Sequence, residues 1–454
     1  MTERSAMTDS AKRLMGAIES RSAVVAVMGL GYVGLPLVRA VHDAGFDVIG
    51  YDVDSSKIED LREGRAYLKH PGEDLFAILS DSEYFTPTNE EESLARADVI
   101  ILCVPTPLGE HDDPDLFYVE SSARSVAQHM KPGALVVLES TTYPGTTREV
   151  VLPILLEGAN ARGMELELGD DLFVAYSPER EDPGRTDKTT RTIPKLVGGL
   201  DEVSLALGSA LYQSCVDEVH ETPSAEVAEA AKLLENVYRA VNIALINEMK
   251  LVFDRMGIDV WEVIEAAATK PFGFQRFDPG PGLGGHCIPI DPFYLAWRAR
   301  EAGHTTRFIE LAGEINRRMP EYVVSRVSDA LNDDAKHMKG AKILVLGVAY
   351  KRNVDDIRES PAAEIISLLR KRGAEVSYHD PHIARFPSMR RYDIALDSVE
   401  LTGEALERCD CAVVVTDHDA IDWHLVGEHA PLIVDTRDAI TKNAGAVRAR
   451  VVKA

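Results

Sequence analysis

A cysteine in a loop rich in glycine and proline is one residue of this chain that could do covalent chemistry. Cys287 lies in PGPGLGGHCIPIDP (279–292), where the backbone can approach a ligand closely and cannot form a regular helix. His286 is adjacent, Asp291 follows four residues on, and no second cysteine lies nearby in the sequence. A thiolate in such surroundings could attack a carbonyl carbon, and a purely structural cysteine is the alternative.

A lysine and an asparagine on a long predicted helix could act on a reacting oxygen. Lys232 and Asn236 are four residues apart, so their side chains project from one face of the helix. Together an ammonium and an amide can stabilise an oxyanion or polarise a hydroxyl group. A solvated polar pair is the alternative. Apolar neighbours indicate instead that much of this helix is buried: Ala231, Leu233, Leu234 and Val237.

A carboxylate is the third candidate reactive group. Glu179, in AYSPERED (175–182), follows a predicted strand that should end at a ligand-binding crevice. It is either a base that positions water or only a charge in a loop.

A glycine-rich turn predicts a dinucleotide site. GLGYVG (29–34) directly follows a predicted strand and precedes a predicted helix. Gly29 permits the tight turn, Gly31 lets a pyrophosphate approach the backbone, and Gly34 allows close packing of helix on strand. The N–H groups at the start of the helix are then available to the phosphates.

The acidic residue that ends the second predicted strand favours NAD over NADP. Asp52 can accept hydrogen bonds from ribose hydroxyls and would repel a 2′-phosphate, although simple turn chemistry is the alternative. Lys57 is either a ribose contact or a solvated helix residue. Later in the chain, VLGVAY (345–350) has one glycine before its helix and is a degenerate nucleotide site at best. Lys351 and Arg358 beyond it could hold phosphates or be solvated cations.

Alternating strands and helices indicate the elements that position these residues. Predicted strands cover 23–28, 47–53, 97–107 and 134–145 in the first half, with a helix over 36–44. A long helix is expected from the N-cap Thr222 to Met256, with Pro223 at its first position. Later strands are predicted over 341–350, 374–381, 411–418 and 431–438, with a helix over 360–373.

The predicted fold class is therefore α/β, with two Rossmann-like doubly wound domains joined by a central helical domain that contains one long helix. The expected division is an N-terminal extension (1–21), an NAD-binding domain (22–215), a central helical, dimerisation and catalytic domain (216–325) and a C-terminal Rossmann-like domain (326–454).

The composition limits the possible partners and compartments. The chain has 49 basic and 74 acidic residues among 454, a net charge of −25, which argues against a nucleic-acid-binding protein. It contains no apolar run of membrane-spanning length and no signal-peptide pattern at its N-terminus. Five scattered cysteines argue against a disulfide framework and for a cytoplasmic protein, and Cys409 and Cys411 are expected at a buried strand end rather than at a metal. An acidic surface fits a soluble or salt-adapted protein.

The order of seven motifs resembles the UDP-glucose/GDP-mannose dehydrogenase family from about residue 22 to 440: GLGYVG, PTP, ESTTYPGT, SPERE, AAKLLEN, GGHCIPIDP and AYKRNVDDIRES. SPEREDPG (177–184) and GGHCIPIDP (284–292) look most like UDP-N-acetylglucosamine 6-dehydrogenases, because the glucose and GDP-mannose branches more often have Ser in place of His286. UDP-N-acetylmannosamine and UDP-glucose enzymes are the alternatives.

The resemblance implies oxidation of a sugar C6 alcohol to a carboxylate by two NAD in succession. Cys287 would attack the intermediate aldehyde, and the thiohemiacetal would give a second hydride to form a thioester that water hydrolyses. Lys232 and Asn236 would stabilise oxyanion character at C6. Asp291, Glu179 and Thr141 would arrange the water or proton transfer.

The resemblance also implies the ligand contacts and the assembly. UDP-sugar binding would involve Glu179, Lys232, Asn236, Gly284 and Lys351. NAD binding would involve Gly29, Gly31, Tyr32, Val33, Gly34, Asp52, Lys57, Thr106, Thr141 and Arg358. A homodimer or a dimer of dimers is expected, with no nucleic acid, membrane or metal.

Two other functions fit the sequence less well. A two-electron hydroxy-acid dehydrogenase would leave Cys287 unexplained, and a non-catalytic NAD-binding scaffold or sensor would have no need of Cys287 and Lys232 together.

Overall fold

The computed structural model of the protein describes residues 7–68, 73–109, 112–181, 189–285, 287–387, 389 and 391–454. His286 and the end of SPEREDPG lie outside these described residues. The chain forms two compact units. Unit 1 comprises Met1–Glu235 and Phe293–His304, and unit 2 comprises Asn236–Pro292 and Thr305–Ala454.

Unit 1 contains an eight-stranded sheet. Its strands are Val24–Met28 (β1), Asp47–Tyr51 (β2), Phe85–Thr88 (β3), Val99–Leu102 (β4), Ala134–Leu138 (β5), Leu172–Tyr176 (β6), Lys195–Gly199 (β7) and Val219–Glu221 (β8). Their order is β3-β2-β1-β4-β5-β6-β7-β8. The first six are parallel, whereas β7 is antiparallel to β6 and β8 is parallel to β7. The order 3-2-1-4-5-6 is that of dinucleotide-binding sheets.

The sheet of unit 1 is apolar on both faces. Successive residues of β1 alternate between two buried clusters, with Val25 and Val27 in one and Ala26 and Met28 in the other. Helices cover both faces, as a buried parallel sheet requires. They are Asp9–Glu19 (α1), Gly34–Asp43 (α2), Ser55–Arg62 (α3), Glu73–Ser80 (α4), Phe117–His129 (α5), Leu152–Ala161 (α6) and Glu202–Gln213 (α7), with short 3₁₀ and π turns at Glu91–Arg96 and Thr147–Val151.

The predicted N-terminal extension is part of the packed structure. Its residues from Asp9 to Glu19 form α1, which begins after the N-cap Thr8 and packs against α7. Ala11, Leu14 and Ile18 recur at helical spacing and are buried in the first cluster. The segment therefore covers apolar surface of unit 1.

The long helix begins later than the sequence predicts. Four helices lie between β8 and the next strand of the described chain: Ala225–Met256 (α8), Val260–Ala268 (α9), Asp291–Glu301 (α10) and Arg307–Asp333 (α11). Thr222 is not the N-cap, because its hydroxyl donates to the carbonyl oxygens of Val197 and Ser224. Ser224 precedes the helix instead, and its hydroxyl accepts from the N–H of Val227 at 3.4 Å. The expected domain boundary at 325/326 falls inside α11, which has Pro320 in its interior.

Unit 2 contains a second, all-parallel sheet. Its strands are Lys342–Leu346 (β9), Glu375–His379 (β10), Cys411–Val414 (β11), Leu432–Asp435 (β12) and Arg450–Lys453 (β13), in the order β10-β9-β11-β12-β13. The helices that follow its first strand are Pro361–Lys371 (α12), Gly403–Arg408 (α13), Trp423–His429 (α14) and Ala439–Asn443 (α15). This order, 2-1-3-4-5, is the second common doubly wound arrangement.

The predicted α/β class with two doubly wound sheets is confirmed. Each predicted strand contains an observed strand that is shorter than expected, as where 97–107 is a strand only over β4. Cys411 begins β11 and is buried, as is Cys409, in agreement with the predicted strand end. Within the described ranges, no helix is long and apolar enough to cross a bilayer.

Candidate active site

The glycine turn of unit 1 lies where the strand order of its sheet reverses, between β1 and β4. Gly29 has φ +97°, and a side chain there would collide with the carbonyl oxygen of Cys103 after β4. A side chain on Gly34 would collide with the carbonyl oxygen of Gly29. Gly31 differs, because nothing lies within 4 Å of the position its Cβ would take. Two glycines therefore pack the turn, and the third leaves open space beside it.

The acidic residue after β2 holds this turn from the other side. Asp52 is buried, and its Oδ2 accepts from the N–H of Leu30 at 2.8 Å and from Lys57 Nζ at 2.9 Å. Its Oδ1 accepts from the N–H of Asp54 at 3.0 Å. These three donors leave about one of the four acceptor positions of a carboxylate for a ribose hydroxyl. Lys57 forms an ion pair with this carboxylate and has a side chain that is 31% exposed, so its contact with a ribose stays a prediction.

The start of α2 completes a cradle that fits NAD. Val33 stands at its N-cap and Tyr32 lies in the turn, and no side chain among the described residues caps the first N–H groups of the helix. Uncapped N–H groups beside the open face of Gly31 suit a pyrophosphate. Thr106 lies four residues after β4 and is buried. The residues present thus fit the predicted cofactor.

The lysine of the helix pair is buried rather than solvated. Lys232 and Asn236 are only 6% and 5% exposed, which excludes a solvated polar pair. Lys232 Nζ donates to the backbone carbonyl oxygen of Glu179. The expected burial of Leu234 is wrong, since that side chain is 64% exposed. Leu234 comes two positions after Lys232, and a residue two positions further along a helix lies on nearly the opposite face, which explains its exposure.

The turns after neighbouring strands of unit 1 bring further candidates to one edge of the sheet. Thr141 lies three residues after β5 and is partly buried, and Glu179 lies three residues after β6. Glu179 Oε2 is 4.0 Å from Nζ of Lys195, a residue that the sequence reasoning missed. The available signal was a lysine at the start of an otherwise apolar strand, KLVGG.

Unit 2 brings together three of the predicted catalytic residues. Asn236 Nδ2 donates to Asp291 Oδ2 at 2.6 Å, and Asp291 is 1% exposed. The N–H of Asp291 donates to the carbonyl oxygen of Cys287 at 2.8 Å. Cys287 itself is exposed, in the turn before α10. An exposed thiol thus lies one turn from a buried carboxylate whose position is fixed by an amide.

The glycines before Cys287 are explained by packing. A side chain on Gly284 would lie 2.7 Å from Tyr350 Cβ, and one on Gly285 would lie 2.8 Å from the Tyr350 ring. The N–H of Gly285 also donates to the carbonyl oxygen of Arg358 at 2.9 Å. The side-chain direction at both positions is therefore filled by Tyr350 rather than open to a ligand, and the loop rests on the segment that carries Lys351 and Arg358.

Arg358 is held by an ion pair. Its Nε donates to Asp356 Oδ1 at 3.0 Å and its Nη2 donates to Asp356 Oδ2 at 2.7 Å, and Asp356 is buried. Two parallel hydrogen bonds fix the plane of the guanidinium group. The nearby Lys351 is partly buried.

The equivalent turn in unit 2 is closed by a histidine. Gly347 has φ +75°, and a side chain there would collide with Thr416, much as at Gly29. Asp380, after β10, accepts from the N–H of Val348 at 2.7 Å and pairs with His418 Nε2 at 3.1 Å. Burial alone would raise the pKa of Asp380, but the hydrogen bonds from His418 and the backbone outweigh it and lower the pKa to about 2. Ala349 stands where unit 1 has Gly31.

Comparison with known proteins matches most of the chain to one family. Three models of the UDP-glucose/GDP-mannose dehydrogenase family match it: the NAD binding domain over residues 23–216, the central domain over 226–318 and the UDP binding domain over 344–442.

Individual relatives resemble the chain over most of its length. A UDP-N-acetyl-D-mannosamine dehydrogenase of Pyrococcus horikoshii is 38% identical over 92% of this chain and 96% of its own. A UDP-N-acetyl-D-glucosamine 6-dehydrogenase of Pseudomonas aeruginosa is 36% identical over 82% of this chain and 85% of its own. Among solved structures, a UDP-D-ManNAc dehydrogenase from Pyrococcus horikoshii aligns with a TM-score of 0.84 and 35% identity, covering 94% of this chain and 99% of that one.

Proposed function

The chain belongs to the UDP-glucose/GDP-mannose dehydrogenase family and is an NAD-dependent UDP-sugar dehydrogenase, and we propose that it oxidises C6 of a UDP-2-acetamido sugar to the carboxylate. The observation that carries this proposal is the buried contact of Asn236 with Asp291, one turn from the exposed Cys287. A two-electron dehydrogenase needs no such thiol, whereas an enzyme that retains an aldehyde for a second oxidation does.

Each residue has a chemical task in this proposal. NAD, when bound, accepts a hydride in each of the two oxidations. Lys232 and Asn236 stabilise negative charge on the C6 oxygen. Cys287 Sγ adds to the aldehyde carbon and forms a C–S bond, which retains the aldehyde until it is oxidised to the thioester. Water then attacks the acyl carbon, the C–S bond breaks, and the carboxylate and the thiol are released.

The remaining residues orient water and ligands. Glu179, Asp291 and Thr141 arrange the attacking water and its proton. Gly284 and Lys351 contribute to UDP-sugar binding and Arg358 to NAD binding, together with the residues of the glycine cradle.

Two substrates are favoured by different observations. UDP-N-acetylmannosamine is favoured by the Pyrococcus horikoshii relative, which is 38% identical. UDP-N-acetylglucosamine is favoured by the motifs SPEREDPG and GGHCIPIDP and by the relative that is 36% identical. We expect kcat/KM for one of these two to exceed that for UDP-glucose at least tenfold, or about 1.4 kcal/mol of transition-state stabilisation. A preference for UDP-glucose would contradict the substrate class.

The stoichiometry tests the reaction type. Two NADH formed for each sugar consumed would support the four-electron oxidation, and one NADH would indicate a simple alcohol dehydrogenase. Binding of NAD without any NADH formation would indicate a scaffold or sensor.

Replacement of the nucleophile tests the covalent route. Cys287→Ser is expected to abolish uronate formation, because an alkoxyl leaving group makes the acyl intermediate a stable ester. Cys409→Ser is the matched control, since the Cys409 thiol donates to the carbonyl oxygen of Leu406 at 3.1 Å and a hydroxyl can do the same. Uronate formation is measured by chromatography. Unchanged turnover of Cys287→Ser would contradict the mechanism.

Association of two chains through α8 is part of the same proposal. Large apolar side chains are exposed on this helix at spacings of seven, seven and four residues: Tyr238, Leu245, Val252 and Met256. Such spacing places them on one helix face, the pattern by which helices pair. We therefore propose a homodimer in which this α8 stripe meets its copy in a second chain.

A further inference from the structure

A buried lysine lies between two carboxylates at the edge of the unit 1 sheet. Lys195 has a side chain only 5% exposed, and its Nζ is 3.0 Å from Glu139 Oε1 and 4.0 Å from Glu179 Oε2. It reaches this edge because β7 is antiparallel to β6: Gly198 and Gly199 pair with Tyr176 and Ala175, so the start of β7 extends past the carboxyl end of β6, beside the segment that carries Glu179. The Lys195 ammonium group therefore lies near the carboxylates of both Glu139 and Glu179, which follow the neighbouring parallel strands β5 and β6.

The first of these carboxylates is incompletely satisfied. Glu139 directly follows β5 and is fully buried, and its Oε1 also accepts from the Tyr212 hydroxyl at 2.5 Å. Its Oε2 has no hydrogen-bond partner among the described residues. A buried carboxylate with one orphaned oxygen costs stability, and apolar residues could fill the same volume. Stability of the fold therefore does not account for this cluster.

The charges of the cluster follow from burial and proximity. Burial raises the pKa of Glu139, and it also raises the pKa values of the neighbouring Cys103 thiol and Tyr212 phenol. Burial alone would lower the pKa of Lys195, but Glu139 and Glu179 outweigh it and raise that pKa. Lys195 thus stays cationic.

We propose that Lys195 is a positioning residue that orients Glu179 for hydrolysis of the thioester, and that Glu139 competes for the same cation. This inference rests on the proposed function. The Glu179 side chain accepts a proton from water as the water oxygen bonds to the acyl carbon. The C–S bond then breaks, its electron pair stays on Cys287 Sγ, and the proton passes from Glu179 to the thiolate or to solvent.

Two variants test the two parts of this proposal. The double variant Lys195→Met/Glu139→Gln removes the cation without leaving a buried unpaired charge, so it avoids the folding penalty of Lys195→Met alone. It should slow hydrolysis of the thioester about tenfold and leave the first hydride transfer unchanged, because Glu179 loses the cation that orients it. Glu139→Gln alone removes the competing carboxylate and keeps Lys195, so hydrolysis should be at least as fast as in the wild type.

The hydrolysis step can be followed directly by intact mass spectrometry of acid-quenched enzyme during turnover. We expect the double variant to accumulate more of the sugar adduct on Cys287 than the wild type does. Cys287→Ala, which can form neither a thioester nor an ester, identifies the site of the adduct.

The outcomes separate this inference from the function on which it rests. If the wild type turns over UDP-sugars but the double variant, folded by thermal melting, hydrolyses the thioester at the wild-type rate, Lys195 is only structural and the inference fails alone. If Glu139→Gln alone slows hydrolysis as much as the double variant does, competition by Glu139 is wrong and the inference also fails. If the wild type forms no NADH with any UDP-sugar, the proposed function fails and the inference fails with it.

Discussion

At the scale of single residues, a buried glutamate ties the turn after β5 to the long helix. Glu229 on α8 is fully buried and accepts from the N–H groups of Gly145 and Thr147, at 2.6 and 2.9 Å, and from the Thr147 hydroxyl at 2.6 Å. The same turn carries Thr141. Burial nevertheless outweighs these hydrogen bonds and raises the pKa of Glu229 to about 7.

Glu229→Gln should remove a pH-dependent part of the stability. The folded pKa of about 7 lies above the ordinary 4.5, so the folded state binds more protons between these values. The contribution is therefore complete below pH 4.5 and lost as the pH rises through 7, by about 3 kcal/mol. The difference in melting temperature between wild type and variant should shrink from pH 5 to pH 8. A difference that grows would show that the three hydrogen bonds outweigh burial.

At the scale of elements, the glycines of the β1–α2 turn separate packing from ligand access. Gly34 faces the carbonyl oxygen of Gly29, whereas Gly31 faces open space. One position thus keeps helix and strand together, and the other leaves room beside the backbone.

Gly34→Ala and Gly31→Ala are therefore a matched pair. Gly34→Ala should lower both the melting temperature and NAD affinity, because its methyl group forces α2 away from β1. Gly31→Ala should leave the melting temperature within about 2 °C and still weaken NAD binding tenfold or more, about 1.4 kcal/mol. Thermal melting and calorimetric titration with NAD measure the two effects. Wild-type affinity in Gly31→Ala would contradict the placement of the pyrophosphate.

Local sequence patterns predicted the strands and helices next to the motifs. Contacts between residues far apart in the sequence could not be predicted in this way. The apolar runs of β1 and β4 were evident because both faces of a parallel strand are buried. The antiparallel direction of β7 has no local signal, so the place of Lys195 beside Glu179 was missed. Thr222 looked like an N-cap, but its hydroxyl bonds Val197 on another strand. The Asn236–Asp291 contact joins residues 55 apart in sequence, and spacing alone did not predict it.

At the scale of the whole molecule, the exposed stripe on α8 predicts the oligomeric state. Leu245→Glu places a charge in the centre of the proposed helix pairing, where burial of an unpaired carboxylate is costly. We expect a mass near 49.8 kDa for this variant by light scattering and about twice that mass for the wild type. Tyr84→Glu, at an exposed aromatic residue outside the stripe, is the control and should keep the wild-type mass. A monomeric wild type would contradict the pairing.

The net charge of −25 predicts a response to salt. Like charges on the surface repel one another in the folded state, and added ions screen them. Raising NaCl from 50 to 500 mM at pH 8 should therefore raise the melting temperature by roughly 2–4 °C, about 1 kcal/mol. At pH 5, near the isoelectric point of about 5.0, the gain should disappear. A melting temperature that falls with salt at pH 8 would show that attractive ion pairs dominate.

His418, beside the turn after β9, bears on how many NAD molecules each chain binds. His418 and the backbone hydrogen-bond to the carboxylate of Asp380, and Ala349 stands in the chain where unit 1 has Gly31. Two related sheets in one chain could otherwise take up the same dinucleotide. The described residues provide one glycine cradle, so each chain should saturate with a single NAD, and the second sheet stays available to a different nucleotide.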